Sequence, residues 1–134
     1  MGFQLKYMIL PVFLFLSLNG ISQSPCEKVY EMAQVEAPAE IPIKNSEFIN
    51  FVSKEIVPIL EKSDLLVPKL FILFTISDQG EIISVEFPRL EAKAEVHKAL
   101  AAAFLKLGKW KPAVLAGKNV CSEFAYAISC LKWQ

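Results

Sequence analysis

A pair of strand-like segments joined by a very short turn limits the possible folds of this chain more than any other part of the sequence. Lys69 to Ser77 and Glu81 to Phe87 are both rich in β-branched and aromatic residues. Between them, Asp78-Gln79-Gly80 predicts a tight turn, because Gly80 can adopt a positive φ angle without steric cost. Segments this close in sequence pair as an antiparallel hairpin. This hairpin is the local structure that the sequence predicts most directly.

An amphipathic helix is predicted on each side of the hairpin. The first runs from Ser46 to Val57 with Asn45 or Ser46 as its cap, and Pro58 should end or distort it. The second runs from about Glu91 to Leu107 and ends at Gly108. In both, the apolar residues recur at helical spacing: Phe48, Ile49, Val52, Ile56 and Leu60 in the first, and Val96, Leu100, Ala103 and Leu107 in the second.

A last strand is predicted from Val120 to Leu131, after a short loop that Lys111-Pro112 and Gly117-Lys118 bound. One face would carry Val120, Phe124, Tyr126, Ile128 and Cys130, and the other Glu123, Ala125, Ala127 and Ser129. The order helix, strand, strand, helix, strand predicts an α+β fold of two layers. We expect a three-stranded antiparallel sheet with both helices on one face.

The N-terminal residues 1–22 predict a signal peptide. Lys6 supplies the positive charge, Met8 to Leu18 is an apolar run, and Gly20-Ile21-Ser22 predicts cleavage before Gln23. One alternative is a retained anchor, although a spanning helix needs about 20 apolar residues. A second alternative is a lipoprotein attached at Cys26, although Pro25 fits poorly before a lipidated cysteine. After removal of the leader we expect no membrane span.

Residues 23–45 predict an extended lead-in to the folded domain, which we place at residues 46–134. Pro25, Pro38 and Pro42 exclude a continuous helix in the lead-in. The stretch from Val29 to Met32 is able to add a short strand.

Charge and residue content favour binding over catalysis. Without Lys6 the chain has 13 basic and 14 acidic residues, a balance that predicts no nucleic-acid partner. His97 is the one histidine, and its place at the edge of a helical apolar stripe predicts a boundary residue. We therefore expect no metal site, no cofactor and no catalytic residue. A Cys–His pair through His97 is conceivable, but Cys121 and Cys130 lie on a predicted strand without a turn to expose a nucleophile.

Three cysteines in an exported chain suggest a disulfide. Cys121 and Cys130 are separated by about 30 Å if both lie on one strand. A disulfide brings two Cα atoms within about 7 Å, so these two cannot pair with each other within that strand. Cys26 is able to pair with either, and the sequence leaves that choice open.

Trp110 follows the second helix and precedes Lys111-Pro112, which predicts a packing residue where helix meets sheet. This Trp-Lys-Pro corner is one of four pieces of the sequence that occur in a fixed order. Together, over about 100 residues, the four resemble the TonB C-terminal domain family. The other three pieces are the helix that ends near Pro58, the hairpin with Asp78-x-Gly80, and Gly117-Lys118-x-Val120 before the last strand. The chain departs from the family pattern at Ala113, where glycine is usual, and at Val67-Pro68, where Gly-x-Val often opens the first strand.

The resemblance implies a periplasmic protein-binding domain of the Gram-negative envelope with a role in outer-membrane transport. In that family, a short segment of an outer-membrane transporter adds as a strand to the sheet edge. Here the last strand would bind a partner through Val120, Glu123, Ala125, Ala127 and Ser129, while Trp110, Pro112 and Gly117 form a structural corner. If the leader were retained, the spacer before Ser46 would span at most about 95 Å, which favours a free-standing adaptor or decoy over an energy transducer.

The sequence is also compatible with two other functions. The first is a structural envelope domain that self-associates as a homodimer through its edge strand. The second, less favoured, is a small exported thiol enzyme that uses Cys121 or Cys130.

Overall fold

The computed structural model of the chain describes residues 26–129. The predicted signal peptide, Cys130 and the end of the predicted last strand lie outside the described residues. The described part is an α+β domain with a helical layer on one face of an antiparallel sheet. Its helical elements are α1 (Asn45–Phe51), a π-helix (Val52–Ile56), α2 (Val57–Lys62) and α3 (Ala94–Phe104). Its strands are β1 (Lys69–Ile76), β2 (Ile82–Glu86), β3 (Ala113–Leu115), β4 (Lys118–Val120) and β5 (Ser122–Ser129).

The three-stranded sheet has the order β2-β1-β5, and both neighbours of the central strand β1 are antiparallel to it. The predicted hairpin forms β1 and β2, and the strand that follows the second helix pairs on the other side of β1. In the middle of β1, Leu73 lies opposite Glu86 on β2 and opposite Ala125 on β5. The prediction of a three-stranded antiparallel sheet is confirmed.

Side chains of β1 alternate between a buried face and a half-exposed face. Leu70, Ile72, Phe74 and Ile76 are buried under the helices. The ring of Phe74 packs against Phe104 of α3, and Tyr126 of β5 packs against Phe48 of α1. Both helical segments therefore cover the same face of the sheet. Full burial of each large apolar side chain on this face stabilises the fold by about 1.5 to 3 kcal/mol.

The first helical segment continues through Pro58 and ends at Lys62, so the prediction that it stops near Val57 is wrong. Pro58 lies in the first turn of α2, where its missing N–H costs little. The π-helix immediately before this proline is the distortion that the sequence predicts. The cap also differs from the prediction. Lys44 is the N-cap, and its backbone N–H donates to Glu47 Oε1 at 3.0 Å.

The second helix, α3, begins at Ala94, three residues later than predicted, and a 3-10 turn at Leu105–Leu107 extends it. Gly108 has a φ of +88° and ends this segment, as predicted. Of the predicted stripe, Leu100, Ala103 and Leu107 are buried and Val96 is partly buried against the core.

The segment between Trp110 and the last strand is a small hairpin, where the sequence predicted a loop. β3 pairs with β4 through a two-residue turn at Ala116 and Gly117, both of which have positive φ angles. Val120 pairs with Ala113 in this hairpin. The last strand therefore starts at Ser122, and its predicted start at Val120 is wrong.

Candidate functional site

β5 forms one edge of the three-stranded sheet, and its outward backbone groups are the candidate binding site. Along an antiparallel edge strand, alternate residues direct N–H and C=O away from the neighbouring strand. The N–H of Glu123 points outward, since it donates to Tyr30 rather than to β1. By the same alternation, Ala125, Ala127 and Ser129 also present outward backbone groups.

The first half of this edge is already covered by the lead-in, which we call the N-terminal strap (residues 26–40). Tyr30 pairs in parallel with Ser122: its N–H donates to Cys121 O at 3.0 Å, and its carbonyl accepts from Glu123 N–H at 2.8 Å. One step further, the N–H of Ala125 donates to Met32 Sδ at 3.2 Å. This corrects the expectation of an edge that is open along its whole length.

The strap is fixed at several points along its length. A disulfide joins Cys26 to Cys121, which selects one of the two pairings that the sequence left open. Backbone hydrogen bonds join Ala37 to Val114 of β3, and further bonds join Glu40 to Lys111. The expected short strand from Val29 to Met32 is reduced to a single bridge at Tyr30, because Met32–Gln34 forms a 3-10 turn. Cys121 is in a disulfide and therefore carries no thiol for the alternative of thiol catalysis.

The second half of the β5 edge lies beyond the strap. Among residues 26–129, no hydrogen bond reaches the outward N–H of Ala127. Ala125 and Ala127 are both exposed. A short stretch of unpaired strand edge therefore begins after the N–H of Ala125. Of the predicted binding residues, Ala127 and Ser129 lie on this stretch, Glu123 and Ala125 lie under the strap, and Val120 lies in β4.

A groove flanks this unpaired stretch on each face of the sheet. On the face away from the helices, the small side chains of β5 lie beside bulky side chains of β1, which leaves a depression of about 320 Å³. Its lining includes Phe71, Leu73, Pro88, Arg89, Ala125 and Ala127. On the helical face, a groove of about 200 Å³ lies between α1 and β5. Its lining includes Asn45, Phe48, Ile49, Tyr126, Ile128 and Ser129.

The predicted corner at Trp110 supports the sheet from within. Trp110 is buried and packs against Phe74 of β1 and Phe124 of β5, with ring centroids 4.8 and 5.3 Å apart. Its backbone N–H donates to Gly80 O at 2.7 Å, so the corner also holds the β1–β2 turn. The prediction of a packing tryptophan is confirmed. Pro112 lies next to β3, and Gly117 forms the β3–β4 turn.

Sequence reasoning missed Ser77, which organises the predicted turn. Its buried Oγ accepts hydrogen bonds from the N–H groups of Gln79 and Glu81 at 3.1 and 3.0 Å. Asp78 is exposed and accepts no hydrogen bond from any other described residue. A serine directly before Asp-x-Gly was the available signal, because serine side chains often bond the backbone two residues on.

His97 is half-buried at the edge of α3, as the sequence predicts. Its Nε2 lies 3.1 Å from Leu90 O, and its ring packs edge-on against Phe87. Across residues 26–129, no group of three or more His, Cys, Asp or Glu side chains is placed to hold a metal ion.

Within residues 26–129, none of the helices has both the length and the apolar content needed to cross a bilayer.

Comparisons of the chain with models of protein families, with curated proteins and with solved structures give no match. The described residues thus define an α+β domain whose last strand has a half-covered edge. The resemblance to the TonB C-terminal domain stays a prediction from the sequence.

Proposed function

We propose that this chain is an exported protein-binding module of the cell envelope. It binds an extended segment of a partner protein as an added strand along the unpaired half of β5. The observation that carries this proposal is the exposed backbone at Ala127, which lies between two grooves. Membership of the TonB C-terminal family and a periplasmic location belong to the same proposal.

Strand addition needs a backbone edge for affinity and side-chain pockets for specificity. Successive side chains of an added strand point to opposite faces of the sheet, about 3.3 Å apart along the strand. Next to Ala127, one such side chain would enter the groove beside Phe71 and its neighbour would enter the groove beside Ile49. Both grooves are therefore placed to accept side chains of the same segment.

The strap supports the view that this edge accepts extended chain. Tyr30 already pairs with the first residue of β5 through two backbone hydrogen bonds. A partner segment would continue the same type of pairing beyond Met32. Only a few residues of β5 remain unpaired, and each hydrogen bond adds about 1 kcal/mol. We therefore expect a weak, reversible complex.

Ala127 is the position that tests strand addition. Ala127→Pro removes the outward N–H, and this N–H does not pair with β1, so we expect the sheet to stay folded. Binding to an envelope partner should be lost. Ala127→Ser is the matched control, because it keeps the N–H and remains small. The measurement is crosslinking of the purified chain and its variants in envelope extract, with the captured protein identified.

Self-association through the same edge is the competing outcome. Light scattering of the purified chain gives its molecular mass in solution. If the chain is a dimer and Ala127→Pro converts it to a monomer, the segment that pairs with this edge belongs to a second copy of the chain and not to an envelope partner. A captured partner that Ala127→Pro still binds would contradict strand addition at this position.

A further inference from the structure

The groove beside β5 on the open face of the sheet, which is the face away from the helices, contains a cation that no carboxylate of residues 26–129 contacts. The guanidinium of Arg89 lies over the ring of Phe71, with Cζ 4.3 Å from the ring centroid. Phe71 is on β1, directly opposite Ala127 on β5. This cation–π contact holds the guanidinium over the groove, and its N–H groups are able to bind an acceptor there.

Lys69 adds a second positive charge at the same end of the groove. It lies two residues before Phe71 on β1, so its side chain leaves from the same face. Ala127, between Phe71 and the sheet edge, has too small a side chain to separate the groove from an added strand. Among residues 26–129, neither cation lies within 4.0 Å of a carboxylate.

The acidic residues of this face lie toward its other end. Glu86 is opposite Leu73, and Glu123 is opposite Thr75, which places them two and four β1 residues beyond Phe71. The open face therefore has positive charge beside the unpaired half of β5 and negative charge beside the half that the strap covers. A ligand at the unpaired half meets the positive end.

From this arrangement we infer that the partner segment places a carboxylate side chain above Ala127, beside Phe71, where Arg89 and Lys69 bind it. This inference rests on the proposed strand addition and names the chemistry of its partner. The occupant is an extended peptide with one Asp or Glu at a position that faces the open side of the sheet. Adjacent strands are about 4.8 Å apart, so a leaning glutamate on an added strand reaches the space above Ala127, next to the guanidinium that lies over Phe71.

The first test is a selection from random heptapeptides that are displayed within a coat protein, so that neither terminus is free. We expect the purified chain to enrich peptides with one acidic residue, and we expect Ala127→Pro to abolish their binding. Peptides that are enriched and sensitive to Ala127→Pro but lack an acidic preference would overturn this inference and leave the proposed function intact. Enriched peptides that bind Ala127→Pro equally well would overturn both.

The second test measures the coupling between Arg89 and the peptide carboxylate. In the parent chain, a Glu-to-Gln change in a selected peptide should weaken binding about fivefold, as for a partly exposed ion pair. In Arg89→Gln the same change should have a clearly smaller effect, because only Lys69 remains to bind the carboxylate. Lys98→Gln is the control, because it removes one exposed positive charge from α3, in the helical layer. An equal effect of the peptide change in all three proteins would contradict a role for Arg89.

Discussion

At the scale of single residues, the turn between β1 and β2 depends on two residues that have almost no contact with solvent. Ser77 bonds two backbone N–H groups of the turn, and Gly80 lies directly against the backbone of Trp110. The Ser77 side chain thus stabilises the turn locally, and a hydrogen bond from Trp110 N–H to Gly80 O joins the turn to the corner that follows α3. The Asp-x-Gly pattern predicts the turn correctly, but it does not reveal this attachment.

Gly80→Ala should be strongly destabilising. A Cβ at this position would lie 2.1 Å from Trp110 O, and the φ of +84° is already unfavourable for alanine. We expect a loss of at least about 2 kcal/mol in the free energy of unfolding, measured by urea denaturation. Gly117→Ala is the control, because its φ is also positive but a Cβ there meets open space. It should cost about 1 kcal/mol. Equal losses in both variants would contradict the close approach to Trp110.

Ser77→Ala should lower the free energy of unfolding by about 1 to 2 kcal/mol, because two turn N–H groups lose their acceptor. Asp78→Ala should change it by less than about 0.5 kcal/mol, since the side chain is exposed and unbonded. Thermal or urea denaturation of the two variants distinguishes these residues. A larger loss of stability in Asp78→Ala would contradict the assignment of Ser77 as the side chain that stabilises the turn.

At the scale of elements, the strap is the part that decides how much of the edge strand is accessible. It occupies the backbone of Cys121 and Glu123 and reaches the N–H of Ala125 through Met32. Its hold on β5 combines one covalent bond with a few hydrogen bonds. The two halves of β5 should therefore differ in how readily their outward amides exchange with water.

Replacing both bonded cysteines, Cys26→Ser with Cys121→Ser, should loosen the strap. The disulfide closes a loop across 95 residues, so its loss should cost about 3 to 5 kcal/mol of stability. Hydrogen exchange provides the local measurement. The Glu123 amide should be protected in the parent chain and should lose protection in the double variant, whereas the Ala127 amide should exchange quickly in both. A strongly protected Ala127 amide in the parent chain would contradict the unpaired edge.

At the scale of the whole molecule, the sequence predicts the layers better than the connections between them. The hairpin and the alternation of faces from Glu123 to Ser129 follow from local patterns, and both are confirmed. The strap is not predictable in this way, because its bonds join residues such as Tyr30 and Glu123 that lie far apart in sequence. The β3–β4 hairpin was also missed, because Ala116 adopts a positive φ angle that alanine rarely takes.

The two edges of the sheet differ in how they limit unwanted pairing. β2 has only five residues, and its register against β1 shifts between Thr75 and Ile76, which bends that edge. The edge at β5 is longer and is limited by the strap instead. Short or bulged edges resist the addition of foreign strands. The unpaired half of β5 is thus the better of the two places for a partner.

The bond between Cys26 and Cys121 also determines how the domain would respond to a mechanical load. Tension applied at residue 26 and at the end of β5 would pass through the sulfur atoms directly into Cys121. Residues 27–120 lie inside the closed loop and would carry none of that load. Only β5 itself would be in the line of tension, so the pairing of β5 with β1 should be the first contact that a pulled domain loses.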